Sequence, residues 1–93
     1  QRLSIINSRL ISRGGITGTV VDIRMILKEA LMANATNIAL AHNHPSGNLK
    51  PSREDDHLTE RLKKAAQTMD IKLIDHVIVT DKGYYSYNDE GRI

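Results

Sequence analysis

Two histidines, followed downstream by a serine and an aspartate, form the most chemically distinctive part of the sequence. His42 and His44 flank a single asparagine. Seven residues separate His44 from Ser52, and Asp55 follows three positions later. Residues i and i+2 of a strand point to the same face, so a strand would aim both imidazoles at one point. With a carboxylate from the first turn of a following helix, the set suits zinc, leaves a fourth position for water and predicts metal-assisted hydrolysis.

Each half of this pattern also has an ordinary structural explanation. Ser52 and Asp55 are spaced as in a helix capping box, with Asp in place of the usual Glu or Gln. A hydroxyl that accepts from the helix backbone still has a proton to donate, so capping and chemistry are compatible. A lone His-x-His on a strand is often coincidental, and the loop over residues 44–52 is an ordinary turn sequence. The two motifs together, joined by that loop, are much less expected by chance.

The elements that must position these residues follow from hydrophobic periodicity and turn signals. The order β-α-β-α-β-β favours an α/β sheet with at least one crossover helix. The second predicted strand is nearly all apolar, which is typical of a strand buried on both faces. We predict strands over 2–12, 37–43, 71–81 and 84–89, a glycine-rich turn over 13–18, a helix capped by Asp22 that ends near 33–35, and a helix over 53–69.

Length and composition restrict the class of protein. The chain has 93 residues, with 13 basic and 11 acidic side chains and a net charge of +2, so it forms one domain without a strong charge bias. The absence of cysteine excludes disulfides, thiolate metal ligands and cysteine nucleophiles. The longest aliphatic run, residues 38–41, is far below the ~20 residues that span a bilayer.

The combined motif resembles the JAMM motif of the JAB/MPN metallopeptidase superfamily. The longer string HNHPSGNLKPSREDDHLTERL, followed by IDHVIV and GYYSY, is similar to the RadC family, and the similarity runs from about residue 15 to 91. The resemblance implies a JAB/MPN-like (cytidine-deaminase-like) α/β sheet flanked by helices. It also implies a Zn²⁺ ion held by His42, His44 and Asp55, with Ser52 as a catalytic residue that donates to the oxyanion.

The superfamily pattern also contains an upstream glutamate, which acts as the general base. The acids that precede the motif, Asp22 and Glu29, both belong to the first predicted helix and do not match that position. We therefore expect the glutamate to precede Gln1, so that the single domain over residues 1–93 lacks its N-terminal segment. Loss of the proton acceptor would cost about 10²–10⁴ in rate. We expect metal binding in this chain and hydrolysis in the parent protein.

Other polar and aromatic residues receive more modest interpretations. His57 lies about 200° around the helix from Asp55, and we expect it at the surface. His76 is either a buried, hydrogen-bonded histidine or a residue that supports a metal ligand from behind. Tyr84 and Tyr85 are expected to pack in a terminal hairpin.

Three functions remain open on the sequence alone. The first is a zinc-dependent hydrolase of a peptide or isopeptide amide. The second is a role in DNA repair, a label that the resemblance brings with it. The third is a scaffold that keeps the zinc site without catalysis. Deaminase sites need cysteine ligands, which the chain lacks. We expect a cytoplasmic protein with a peptide or protein substrate and no membrane partner. Binding of nucleic acid is possible but has no independent support in the sequence. The terminal hairpin could leave an open sheet edge, so homodimerisation is also possible.

Overall fold

The computed structural model describes residues 22–44 and 47–93, which form a small mixed α/β unit. Its three-stranded sheet has the order β1-β2-β3, with β1 parallel to β2 and β2 antiparallel to β3. The α/β class is confirmed, whereas the predicted strand over 2–12 and turn over 13–18 lie outside the described residues. The elements are α1 (Ile23–Met32), β1 (Asn37–Asn43), α2 (Arg53–Thr68), β2 (Lys72–Thr80) and β3 (Gly83–Ser86).

Both helices begin at the residues that the sequence predicts. The Asp22 side chain accepts a hydrogen bond from the Arg24 backbone N–H at 2.9 Å and caps α1, while Ser52 caps α2. No helix among the described residues is long and apolar enough to cross a bilayer. The apolar stripes of the helices pack on one face of the sheet. The core consists of Ile26, Leu27, Ala30, Ile38, Leu40, Leu62, Ala66, Ile71 and Leu73.

The prediction that β1 is buried on both faces is wrong. Ile38 and Leu40 are buried, but the alternating residues Ala39 and Ala41 are exposed. Both helices contribute to the core on the face of Ile38 and Leu40. The strand looks continuously apolar because alanine counts as apolar, although its small side chain has little area to bury.

A β-bulge in β2 decides which side chains reach the helix face of the sheet. The register between β1 and β2 shifts by one residue after Ile38, and Ile74 has no partner in β1. Such a bulge changes the alternation of side chains beyond it. Leu73 and His76 therefore face the same side, although a spacing of three residues would place them on opposite faces of a regular strand.

The last strand of the terminal hairpin, β3, is shorter than the strand that we predicted over 84–89. The strand β3 ends at Ser86, whose hydroxyl oxygen accepts from the backbone N–H of Asp89 at 3.0 Å and turns the chain back. Just beyond the strand, the Tyr87 backbone N–H still donates to the carbonyl of His76 at 3.0 Å. The turn thus keeps Tyr87 beside β2.

Candidate metal centre

Three chain segments bring polar side chains together at one end of the parallel strand pair. His42 lies near the carboxyl end of β1, and His44 follows directly after the strand. Asp55 occupies the first turn of α2, which begins at Arg53. The carboxyl ends of parallel strands and the first turn of the next helix are a usual place for ligand sites in α/β proteins.

The two imidazoles contact different oxygens of one carboxylate. The distance from His42 Nε2 to Asp55 Oδ1 is 3.1 Å, and that from His44 Nε2 to Asp55 Oδ2 is 3.0 Å. Ligand atoms at ~2.0–2.2 Å from a tetrahedral zinc ion would lie about 3.3–3.6 Å apart, so each of these two His–Asp distances is close to the spacing within a zinc ligand set. The structure thus brings together all three side chains that the sequence predicts as ligands.

The hydrogen bond at the back of His44 shows what the front of its ring can do. Its Nδ1 lies 2.8 Å from the carbonyl oxygen of Asn48, which can only accept, so Nδ1 carries a proton. In a neutral ring Nε2 is then an acceptor, and it faces another acceptor, Asp55 Oδ2, at 3.0 Å. A second ring proton or a cation must lie between these two atoms. The donor set therefore fits a metal ion.

The capping box at the start of α2 holds the carboxylate in position. The Ser52 backbone N–H donates to Asp55 Oδ2 at 2.7 Å, and the Asp55 backbone N–H donates to Ser52 Oγ at 3.1 Å. Burial alone would raise the pKa of Asp55, but the hydrogen bonds with Ser52 and the nearby imidazoles outweigh it and lower that pKa. The carboxylate is therefore ionised at neutral pH, as a metal ligand requires.

His76 lies behind His42 and is completely buried. Its Nε2 is 3.0 Å from His42 Nδ1, and its Nδ1 is 2.6 Å from Thr59 Oγ1. The ring of Tyr87 stacks on it at 4.8 Å between centroids and 1° between planes. Burial lowers the pKa of His42, and burial with the neighbouring His42 lowers the pKa of His76 to about 4, so both rings are neutral at pH 7.

Proximity alone would select a different trio of ligands. His42, Asp55 and His76 each offer one potential ligand atom within 4.8 Å of the others. Both nitrogens of His76 already have polar partners, on His42 and on Thr59. His76 is thus the buried, hydrogen-bonded histidine of the first interpretation that the sequence left open. Its support of a metal ligand from behind stays a prediction.

Sequence reasoning missed Thr59 and Tyr87. Thr59 lies four residues after Asp55, a spacing that places both on one face of α2 and could have served as a signal. Tyr87 lies two positions after Tyr85, and the two rings meet edge to face with 5.5 Å between their centroids. The contact of Tyr87 with His76 depends on the turn after β3 and had no clear signal in the sequence.

Several other candidates take no part in this cluster. His57 is exposed, as predicted. Tyr84 lies in the hairpin strand β3, as expected, but it is exposed, so the expectation that its side chain packs is wrong. Asp22 caps α1, and Glu29 lies within the same helix. Neither of these acids appears among the described contacts of the imidazole and carboxylate cluster.

Comparisons with known proteins find a family model and several relatives that match this chain. A family model described as the RadC-like JAB domain matches residues 1–92. Three relatives, each named UPF0758 protein, match nearly the whole chain. The relative from Flavobacterium johnsoniae is 46% identical over 94% of this chain and 38% of its own length, and the one from Porphyromonas gingivalis is 47% identical over 98% of this chain and 40% of its own length. The relative from Thermotoga maritima is 38% identical over 99% of this chain and 41% of its own length. The chain spans about two fifths of the length of these curated relatives.

Proposed function

Because the chain belongs to the RadC-like JAB domain family, we propose that it binds zinc through His42, His44 and Asp55 and hydrolyses a peptide or isopeptide amide in the context of its parent protein. The observation that carries the proposal is the approach of two imidazole Nε2 atoms to the two oxygens of one carboxylate, at 3.1 and 3.0 Å. Two imidazoles and one carboxylate are a donor set of catalytic zinc sites, which keep a position open for water or substrate.

The residues around the site would each have a distinct task. A bound zinc ion supplies Lewis acidity, which polarises a carbonyl and lowers the pKa of water to about 7. The capping box prevents the carboxylate of Asp55 from rotating away from the imidazoles. Ser52 Oγ accepts from the Asp55 backbone N–H at 3.1 Å, so its hydroxyl proton remains for the carbonyl oxygen of the scissile amide.

We assign the proton acceptor to a residue outside 22–44 and 47–93. Asp55 is engaged as a ligand, and its neighbour Asp56 accepts from Tyr87 and Arg92. Asp22 is bound to Arg24 at the start of α1. An upstream glutamate, which the JAMM resemblance implies, would take the proton from the attacking water and deliver it to the leaving amine.

A cleavage assay with the parent protein tests this proposal. A library of unstructured peptides, which includes peptides branched through the ε-amino group of a lysine, would be incubated with the zinc-loaded protein, and the cleavage products would be identified by mass spectrometry. We expect cleavage that His44→Ala abolishes, that Ser52→Ala lowers about 10²–10³-fold, and that the exposed control His57→Ala leaves unchanged. Bound zinc without cleavage of any peptide would contradict the hydrolase proposal and favour a scaffold role.

A further inference from the structure

Thr59 is a buried residue that the proposed chemistry does not use. Its hydroxyl has a single proton, which it donates to the carbonyl oxygen of Asp55, one helical turn earlier, at 2.8 Å. The same oxygen lies 2.6 Å from Nδ1 of His76. Because its proton is used for the carbonyl, Thr59 Oγ1 must act as the acceptor for a proton on His76 Nδ1.

This arrangement fixes which atom is the donor and which the acceptor in each contact that follows, from His76 through His42 to Asp55. His76 is completely buried, and its ring nitrogens contact a hydroxyl and an imidazole rather than a carboxylate, which favours a neutral ring. A proton on Nδ1 then leaves Nε2 as an acceptor. His76 Nε2 lies 3.0 Å from His42 Nδ1, which must therefore be the donor. His42 Nε2 is then free of a proton and faces Asp55 Oδ1 at 3.1 Å.

We propose that Thr59 is a positioning residue, which acts through His76 to hold His42 in the tautomer with its proton on Nδ1 and so selects Nε2 as the metal-binding atom. The inference rests on the proposed zinc site and adds a buried hydroxyl that determines its affinity. These contacts form a closed ring: Asp55 accepts from Thr59 through its backbone carbonyl, and its side chain would hold the metal together with His42.

The opposite direction of the chain has a different consequence. Thr59 would donate to His76 Nδ1, His76 Nε2 would donate to His42 Nδ1, and His42 would carry its proton on Nε2. That proton would lie between His42 and Asp55, where the metal must bind. Removal of the Thr59 hydroxyl favours this blocked state, because a proton on His76 Nδ1 would then be buried without an acceptor.

Three threonine variants separate this role from simple packing. Thr59→Val keeps the shape and removes the hydroxyl, while Thr59→Ser keeps the hydroxyl. Thr68→Val is the matched control, because the Thr68 hydroxyl makes the same type of bond to the carbonyl of Lys64 at 3.1 Å in the exposed part of α2. Zinc affinity is measured by competition with a chromogenic chelator. We expect Thr59→Val to bind zinc about tenfold more weakly, while Thr59→Ser and Thr68→Val stay within about threefold of wild type.

Nitrogen-15 NMR of the histidine rings supplies a readout that packing would not change. In the metal-free wild-type protein, where no ion fixes the tautomer of His42, we expect the His76 proton on Nδ1 and an unprotonated Nε2. A proton on His76 Nε2, or equal zinc affinity in wild type and Thr59→Val, would overturn the inference while the zinc site itself stands. A wild-type protein that binds no zinc would instead overturn the proposed function and the inference with it. If Thr59→Val does not fold, the wild-type spectrum and Thr59→Ser still decide, because loss of affinity in Thr59→Ser would contradict the role of the hydroxyl.

Discussion

The environment of His76 in the fold moves its pKa far from the usual value for a histidine. Its burial, together with the neighbouring His42, lowers its pKa from 6.5 to about 4. The unfolded chain therefore binds a proton near pH 6.5, whereas the folded protein does not until the pH is much lower. Stability that is fully present at pH 7 is lost as the pH falls from about 6.5 towards 4, by up to about 3 kcal/mol.

The test is urea unfolding of the metal-free protein, with a chelator present, at pH 7 and pH 4.5. We expect a clearly lower free energy of unfolding at pH 4.5 and a smaller pH dependence in His76→Gln. The exposed control His57→Gln should lose stability on acidification as wild type does. Equal pH dependence in His76→Gln and wild type would contradict the assignment of this effect to His76.

The residues of the candidate site differ in how far the sequence determines them. His42, His44 and Asp55 could be predicted because strand alternation and a helix start are local patterns, and the structure brings all three together. Tyr87 could not, because its role arises only when the terminal turn packs against His76. Thr59 offered only its helical spacing from Asp55 as a signal, and its contact with His76 depends on the packing of α2. Whether Ser52 acts on a substrate stays a prediction.

The start of α2 is the element on which the site depends most directly. Ser52→Ala removes the side-chain half of the capping box, which accepts the Asp55 backbone N–H at 3.1 Å. We expect a loss of about 1 kcal/mol in the free energy of unfolding, measured by urea denaturation. Ser52→Thr keeps an acceptor at the cap and should remain close to wild type. Equal stability of Ser52→Ala and wild type would show that the cap does not stabilise α2.

The elements also show where sequence patterns stop being informative. The observed helix α2, Arg53–Thr68, agrees with the prediction over 53–69 because a cap and an apolar stripe are both local signals. The bulge at Ile74 was not predicted, because it depends on the register between two strands that are distant in sequence. That bulge places His76 on the helix face of the sheet. The helices and strands of the site could therefore be predicted from the sequence, whereas the hydrogen bonds inside the site could not.

At the scale of the whole molecule, the chain's C-terminal turn is tied to the helix that carries the carboxylate. The Tyr87 hydroxyl donates to Asp56 Oδ1 at 2.7 Å, and the Arg92 guanidinium donates to the same oxygen at 2.8 Å. Burial and the bond to Asp56 raise the pKa of Tyr87, so it remains a donor across the neutral range. These contacts hold the Tyr87 ring against His76.

Tyr87→Phe tests this long-range connection. The variant keeps the ring stacked on His76 but loses the bond to Asp56, and we expect the free energy of unfolding to fall by about 1 kcal/mol. Tyr85→Phe is the matched control, because the hydroxyl of Tyr85 contacts only the exposed end of Arg92 among the described bonds, at 3.1 Å. Thermal unfolding of both variants is the measurement. A larger loss in Tyr85→Phe than in Tyr87→Phe would contradict the connection.

The most direct test of the account is the zinc content of the purified protein, measured by mass spectrometry of the metal after purification without chelator. Wild type should contain about one zinc per chain, and the exposed control His57→Ala should contain the same amount. His44→Ala should contain none, because the ligand that contacts Asp55 Oδ2 at 3.0 Å is gone. A wild-type protein that stays free of zinc after incubation with the metal, or a His44→Ala variant that binds as much as wild type, would contradict the account.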